Sequence, residues 1–384
     1  MSTTDAGGPA ITLTEAELDG YVTHPPTRGL LTGAGLPART DLLTFSPLRT
    51  HGLRTLADAA GGPFQVAEEL RDRLVIGELL NPERMDRESI LLDGATGEIT
   101  TAYLFEPPEP RPFAPSLDTL LRFAAVAEEL TGLRGRFASL AGEYGPSTVA
   151  EASRRLLALF EEGTGGRVPP YWKAAALIRP LALVAGPGTA SGLALDVPGR
   201  VLDQEFGHGR VVRYEEVDFP ATLTHEPTRR FLRDTGLPEE AVLFHADTDV
   251  PLPTLREYFA DRPRHAQDAL PAHCDHLIRL GHLVEDNSLV VDGRTGAVLT
   301  YSEPERTLYA LNTDVSTLAF TLWLLHHERT IDGHLGNELT TATYDQLAAA
   351  MIHTLSALDP TGLLPDTDWH YWTDAFQDEA GGVL

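Results

Sequence analysis

Residues 23–28 read THPPTR and residues 224–229 read THEPTR, five identities in six at a separation of 201 positions. The same separation carries Gly35-Leu36-Pro37 onto Gly236-Leu237-Pro238. Further along, LVIGELL (74–80) meets LIRLGHL (277–283). ILLDGATGEIT (90–100) meets LVVDGRTGAVL (289–299) at a separation of 199, and SLDTLLRF (116–123) meets TDVSTLAF (313–320) at 197. Order is kept while the separation drifts by a few residues, as small changes in loop length produce. Chance similarity does not stay collinear. The chain therefore holds one domain twice.

The shared segments make local physical sense. A proline follows each Thr-His pair within the first turn of a short helix, where its missing N–H costs nothing. Gly35 and Gly236 suit the left-handed end of that helix, and Pro37 and Pro238 stop it. LLTF (42–45) and AVLF (241–244) read as strands. The Asp-Gly-x-Thr-Gly segments at 93–97 and 292–296 lie between β-rich runs and read as hairpins, with their glycines supplying positive φ. Ser116 caps a helix to about Leu130 with Leu117, Leu120, Leu121 and Ala124 on one face. Its counterpart begins near Thr313 and carries Leu318, Leu322 and Leu325. Tyr344, Leu347, Ala348, Met351, Leu355 and Leu358 form a later core stripe, matched by Leu156, Leu157 and Phe160 in the first copy. The plan is α+β, a sheet packed against helices. The expected boundaries are 11–175 for the first copy, 176–210 for a connector and 211–384 for the second copy. Within the connector LIRPLALVA reads as a strand and RVLDQEF as a short helix.

A chain of 384 residues has room for two domains of this size. Cys274 is the only cysteine, so no disulfide forms within the chain. The segment MSTTDAGGPAITLTEAELDG lacks the basic and apolar regions of a secretory signal, and no apolar run is long enough to span a bilayer. The expected location is the cytoplasm. Formal charge is −26, from 30 basic and 56 acidic residues. Such a field repels nucleic acid and anionic membranes and attracts a basic protein. The charge is uneven. Residues 1–162 carry 14 basic and 24 acidic groups, whereas 211–384 carry 11 and 29.

TRRFLRDTGLP, DTDVPLPTLREYF, LIRLGHL, LVVDGRTGAVLTY and LNTDVSTLAF together resemble the SUKH superfamily of bacterial immunity proteins, in particular its fourth subgroup, common in actinobacteria. The second copy carries the resemblance over about 211–384. The first, about 11–175, is more divergent: it keeps TRGLLTGAGLP and ILLDGATGEIT but not the Asp-rich stretch after the first strand. The resemblance implies two tandem SUKH-like domains, each a mixed, mainly antiparallel sheet packed against helices. It further implies no enzymatic activity, no cofactor, and neutralisation of a secreted toxin, often a nuclease or deaminase, by direct binding.

The partner expected on these grounds is a basic toxin domain. Asp247, Asp249 and Glu257 flank VPLPTLREYF, an apolar and aromatic segment ringed by acids, and Glu303 and Glu305 stand just after the second hairpin strand. Tyr258, Phe259 and Tyr301 are the candidate aromatic anchors within that charged rim; the alternative is that they pack under a loop. GPGTASG (186–192) lacks the Lys and Ser/Thr of a phosphate-binding loop and reads as an ordinary loop. His273-Cys274-Asp275-His276 and His326-His327-Glu328 with His334 gather metal-ligand residue types without a zinc-site spacing, and no third group orients Cys274 as a nucleophile. His24 and His225 recur at equivalent positions and read as helix-start histidines bonded to backbone. Trp172 and Trp372 read as packing residues. Two other functions stay open: a regulatory or scaffold protein with a host partner, and a hydrolase using the His/Cys cluster.

Overall fold

A computed structural model describes residues 9–62, 66–80, 88–103, 110–248, 250–260, 270–284, 287–335, 341–363 and 370–380. The fold is α+β, with two tandem domains. By internal contact the chain divides into two compact units, residues 1–141 with 152–177, and 142–151 with 178–384.

The first unit opens with α1 (Glu15–Leu18) and α2 (Pro25–Thr32). Its sheet comprises β1 (Leu43–Thr44), β2 (Arg54–Thr55), β3 (Leu74–Leu79), β4 (Glu88–Leu92), β5 (Ile99–Tyr103) and β6 (Arg111–Ala114). The order is β1-β3-β4-β5-β6, with β2 also on β3, and every described pairing is antiparallel. The short helices α3 (Ser46–His51) and α4 (Leu56–Ala59) interrupt the strands, and α5 (Leu117–Thr131), α6 (Pro146–Thr164) and α7 (Pro170–Ile178) follow them. Ser116 caps α5 by accepting the Thr119 amide at 3.2 Å. Trp172 on α7 is fully buried, with Phe113, Phe123, Phe160 and Tyr171 around it at centroid distances of 5.1–5.3 Å.

The second unit contains β7 (Gly186–Pro187), β8 (Leu195–Asp196), α8 (Gly199–Phe206), β9 (Val211–Val212), α9 (Glu226–Asp234) and β10 (Leu237–Pro238). Its six-stranded antiparallel sheet runs in sequence order through β11 (Glu240–Ala241), β12 (Phe244–Ala246), β13 (Leu277–Leu283), β14 (Asn287–Asp292), β15 (Val298–Ser302) and β16 (Thr307–Asn312). The short helix α10 (Leu255–Tyr258) lies between β12 and β13, and α11 (Val315–Leu335), α12 (Thr341–Leu358) and α13 (Tyr371–Ala380) close the unit. On α12, Leu347, Ala348, Met351 and Leu355 are buried and Leu358 is half-buried, while the Tyr344 side chain lies outside the described residues.

Two local readings differ in the structure. LIRPLALVA is not a strand: it ends α7 and continues as a 3-10 turn over Arg179–Val184, with Pro180 in its first turn and Leu181, Leu183 and Val184 buried. A short apolar run alone does not distinguish a buried helix from a strand. AVLF splits, because Val242 and Leu243 form the turn between β11 and β12. The Ala194 and Leu195 amides donate to Asp314 Oδ2 at 2.6 Å and Ser316 Oγ at 3.0 Å, at the start of α11.

The duplicated motif is a latch, and its parts recur bond for bond. The Thr23 and His24 amides donate to the Gly94 carbonyl at 2.8 and 2.9 Å; the Thr224 and His225 amides do the same to Gly293 at 2.7 and 2.9 Å. Asp93 Oδ1 accepts the Ala95 and Thr96 amides, and Asp292 Oδ1 accepts those of Arg294 and Thr295. The histidines bond backbone through their amides, while their rings bond side chains: His24 Nδ1 to Thr27 Oγ1 at 2.9 Å and His225 Nδ1 to Thr228 Oγ1 at 2.8 Å. Only the second glycine of each hairpin has positive φ, +80° at both Gly97 and Gly296. The first is needed for close approach. A Cβ on Gly94 would stand 1.9 Å from the Tyr21 carbonyl oxygen, and one on Gly293 2.3 Å from that of Thr222. Gly94→Ala should therefore push the hairpin off the Tyr21–Val22 backbone and cost about 1–3 kcal/mol, read as a lower urea midpoint.

Candidate partner-binding surface

The registers of the two sheets identify equivalent positions. In the first, Thr44 pairs with Glu78, Glu78 with Ser89 and Ser89 with Ala102. In the second, His245 pairs with His282, His282 with Ser288 and Ser288 with Tyr301. Each long strand carries a register shift at the same place, between Val75 and Gly77 and between Arg279 and Gly281. Val75 opposite Leu91 thus corresponds to Arg279 opposite Val290.

The same face is filled differently in the two copies. In the first, Leu56, Val66, Leu70, Val75, Leu91 and Ala102 form an apolar cluster. In the second, Leu255, Phe259, Cys274, Leu277, Val290 and Tyr301 do so, and a polar array extends from their edge. Arg279, 5% exposed, is its centre. Its guanidinium is ion-paired with both carboxylate oxygens of Asp247, donates from Nε to Ser288 Oγ at 3.2 Å and lies 4.0 Å over the Tyr258 ring. Ser288 Oγ in turn donates to Glu303 Oε1 at 3.2 Å. Tyr214 donates its hydroxyl to the Asp247 carbonyl at 2.8 Å, and burial beside Asp247 and Asp218 pushes that phenol well above its ordinary range. Exposed His245 and His282 stack at the array's margin, centroids 5.1 Å apart. Partial burial, then the Arg279 charge and the His245 ring, hold the His282 imidazole below its usual value.

The candidate contact residues fall into three environments. Phe259 and Tyr301 are buried in the core cluster, 4% and 2% exposed, and stack edge-to-face at 6.0 Å. Glu257 completes a capping box with Thr254 while facing solvent, Tyr258 is half-buried over Arg279, and Glu305 is exposed and accepts from the Tyr309 hydroxyl at 2.6 Å. Asp247 and Glu303 belong to the array; Asp249 lies outside the described residues. Sequence reasoning missed Arg279, Ser288, His245 and His282. The available signal was an arginine inside the apolar strand LIRLGHL, which demands a carboxylate once buried.

The other candidate chemistry disperses. Cys274 points into the core and burial raises its thiol, Asp275 is ion-paired with Arg256, and His276 Nε2 meets Arg294 at 2.5 Å. Burial disfavours the thiolate, the form in which a cysteine attacks. In GPGTASG the Ala190 and Ser191 amides are taken by the Asp196 carboxylate at 3.3 and 3.1 Å, so that loop holds its own anion. His326 and His327 both bond Glu205, Nδ1 to oxygen at 3.2 and 3.0 Å, tying α11 to α8. The His334 side chain lies outside the described residues. Among the described residues, no group of three or more His, Cys, Asp or Glu is arranged to hold a metal ion, and no helix is long and apolar enough to cross a membrane.

Burial raises the Glu205 carboxyl, but the bonds and charges of His327 and His326 outweigh it, and the net direction is down. A depressed folded pKa stabilises above the unfolded value, about 4.3, and that contribution is lost as pH falls through the folded value. Glu205→Gln should therefore lower the thermal midpoint at neutral pH and lose less than the unaltered chain as pH drops below about 4.

Fold and surface together define the class: a duplicated α+β protein whose second sheet carries a buried, carboxylate-paired Arg279 where the first has Val75 in an apolar cluster. The family model described as SUKH-4 immunity protein matches residues 5–162 and 197–378, well over half of the chain. The chain belongs to that family, with one matched region in each half. No curated protein and no solved structure matches it.

Proposed function

We propose that the chain is an immunity protein that neutralises a cognate polymorphic toxin, of nuclease or deaminase type, by binding it directly and covering its basic cleft. No covalent bond is made or broken in this reading, and it operates in the cytoplasm. The copies are assigned to 11–175 and 211–384, with 176–210 between them. The observation that carries the reading is the charge asymmetry within a family of immunity proteins: 11 basic against 29 acidic residues in 211–384. Nucleic-acid-active enzymes present basic clefts, and an acidic surface steers toward and occludes them. Glu257, Glu303 and Glu305, with Asp247 and Asp249, supply the charged rim and Tyr258 the aromatic contact. Phe259 and Tyr301 support Tyr258 from beneath.

Co-expression of the full chain with the toxin domain encoded beside its gene tests this. The toxin should co-purify with the chain and growth should be restored. Glu303→Lys with Glu305→Lys should weaken both by about tenfold or more, one rim-charge reversal each. Glu68→Lys with Glu69→Lys, an equal reversal on exposed residues of the first copy, should leave protection intact. Protection without complex formation, or equal loss from both pairs, overturns the assignment.

A further inference from the structure

We propose that His245 and His282 together bind a divalent transition-metal ion of the zinc class on the outer face of the second sheet. The two residues are direct partners on adjacent antiparallel strands, β12 and β13. Their rings are 5.1 Å apart and 16° from parallel, and both are exposed. Two imidazoles held side by side on a rigid sheet are already paired. Only their exposed side-chain torsions need to turn for one nitrogen of each to reach a common ion at about 2.1 Å. Imidazole is the ligand type that suits zinc, copper and nickel.

The fold itself has no need of the pair. The same register positions in the first sheet are Thr44 and Glu78, and that sheet is assembled with the same strand pairing and the same register shift. Histidine therefore stands at both positions in one copy only. Two carboxylates stand near the pair beside the Arg279 charge: Asp247, ion-paired with Arg279, and Glu303, which accepts from Ser288, the strand partner of His282. Two protein ligands leave the remaining coordination positions to water, so the site is open. The proposal does not rest on the toxin-binding reading, since its probe is the metal alone.

The test uses the full chain, freed of metal with a chelator and carrying no affinity tag, titrated with zinc chloride. Calorimetry gives the affinity, and ring-proton NMR shows which histidines respond. One ion should bind, with the His245 and His282 signals moving together. His245→Thr and His282→Thr should each lower the affinity at least about tenfold, about 1.4 kcal/mol. Threonine is favoured on strands, so these variants should keep the original unfolding midpoint and isolate the metal effect. Zinc that moves other histidines instead, binding unchanged in His245→Thr, or no zinc binding overturns the proposal.

Discussion

Trp172→Ala is expected to destabilise the chain by about 3–5 kcal/mol, the range for truncating a large buried aromatic residue. The ring is fully buried, four aromatic neighbours surround it, and Nε1 donates to the Phe113 carbonyl at 2.8 Å. Alanine leaves a cavity bounded by rings that cannot collapse without breaking their own contacts. Trp172→Phe keeps most of the volume and loses chiefly the hydrogen bond, at about 1 kcal/mol. The sister residue Trp372 has a different partner: Nε1 donates to Asn312 Oδ1 at 2.9 Å, and Asn312 Nδ2 donates to buried Asp359 at 2.9 Å. Asp359 also accepts from the Thr313 amide and hydroxyl and from the Thr361 amide. Trp372→Ala should therefore loosen a polar network as well as the core. Urea unfolding followed by circular dichroism measures both. A loss from Trp172→Ala no larger than that from Trp172→Phe would show that packing around the ring is not the stabilising element.

Arg279→Ala should cost about 3 kcal/mol, at the low end for breaking a buried ion pair because Asp247 keeps some contact with water. The side chain also carries the cation–π contact with Tyr258 and the bond to Ser288. The first copy shows what the position accepts when the charge is removed entirely, since Val75 fills it within an apolar cluster. Arg279→Val combined with Asp247→Ala should regain most of the stability lost by Arg279→Ala, because no buried charge is left unpaired. The double variant then separates folding from recognition. With the array serving the partner surface, it should fold and fail to protect against the toxin. Full protection by a folded double variant would remove the array from the binding surface.

Much of the architecture could be read along the chain. The duplication, the hairpins at 93–97 and 292–296, the Ser116 cap and the helix at RVLDQEF all rest on interactions within a few residues, where residue type and spacing suffice. The candidate contact surface was only half legible. YFA after VPLPTLRE marks an aromatic pair, but which ring faces solvent depends on how α10 lies on the sheet. Phe259 turns inward to Leu277 and Tyr301, while Tyr258 lies half-buried over Arg279.

Arg279 and His282 show the limit most clearly. Simple alternation along LIRLGHL would put them on opposite faces, because a strand's side chains alternate with period two. The register shift between Arg279 and Gly281 changes that parity and brings His282 to the face of Arg279, Ser288 and Tyr301. The amino-acid sequence by itself determined the twofold repeat, the α+β plan and the excess negative charge, since these follow from local pattern and composition. Only the tertiary structure decided that Asp247 meets Arg279 across 32 positions and that His245 meets His282. Such pairings are set by strand register and by the bulge, and neither leaves a mark in short-range spacing.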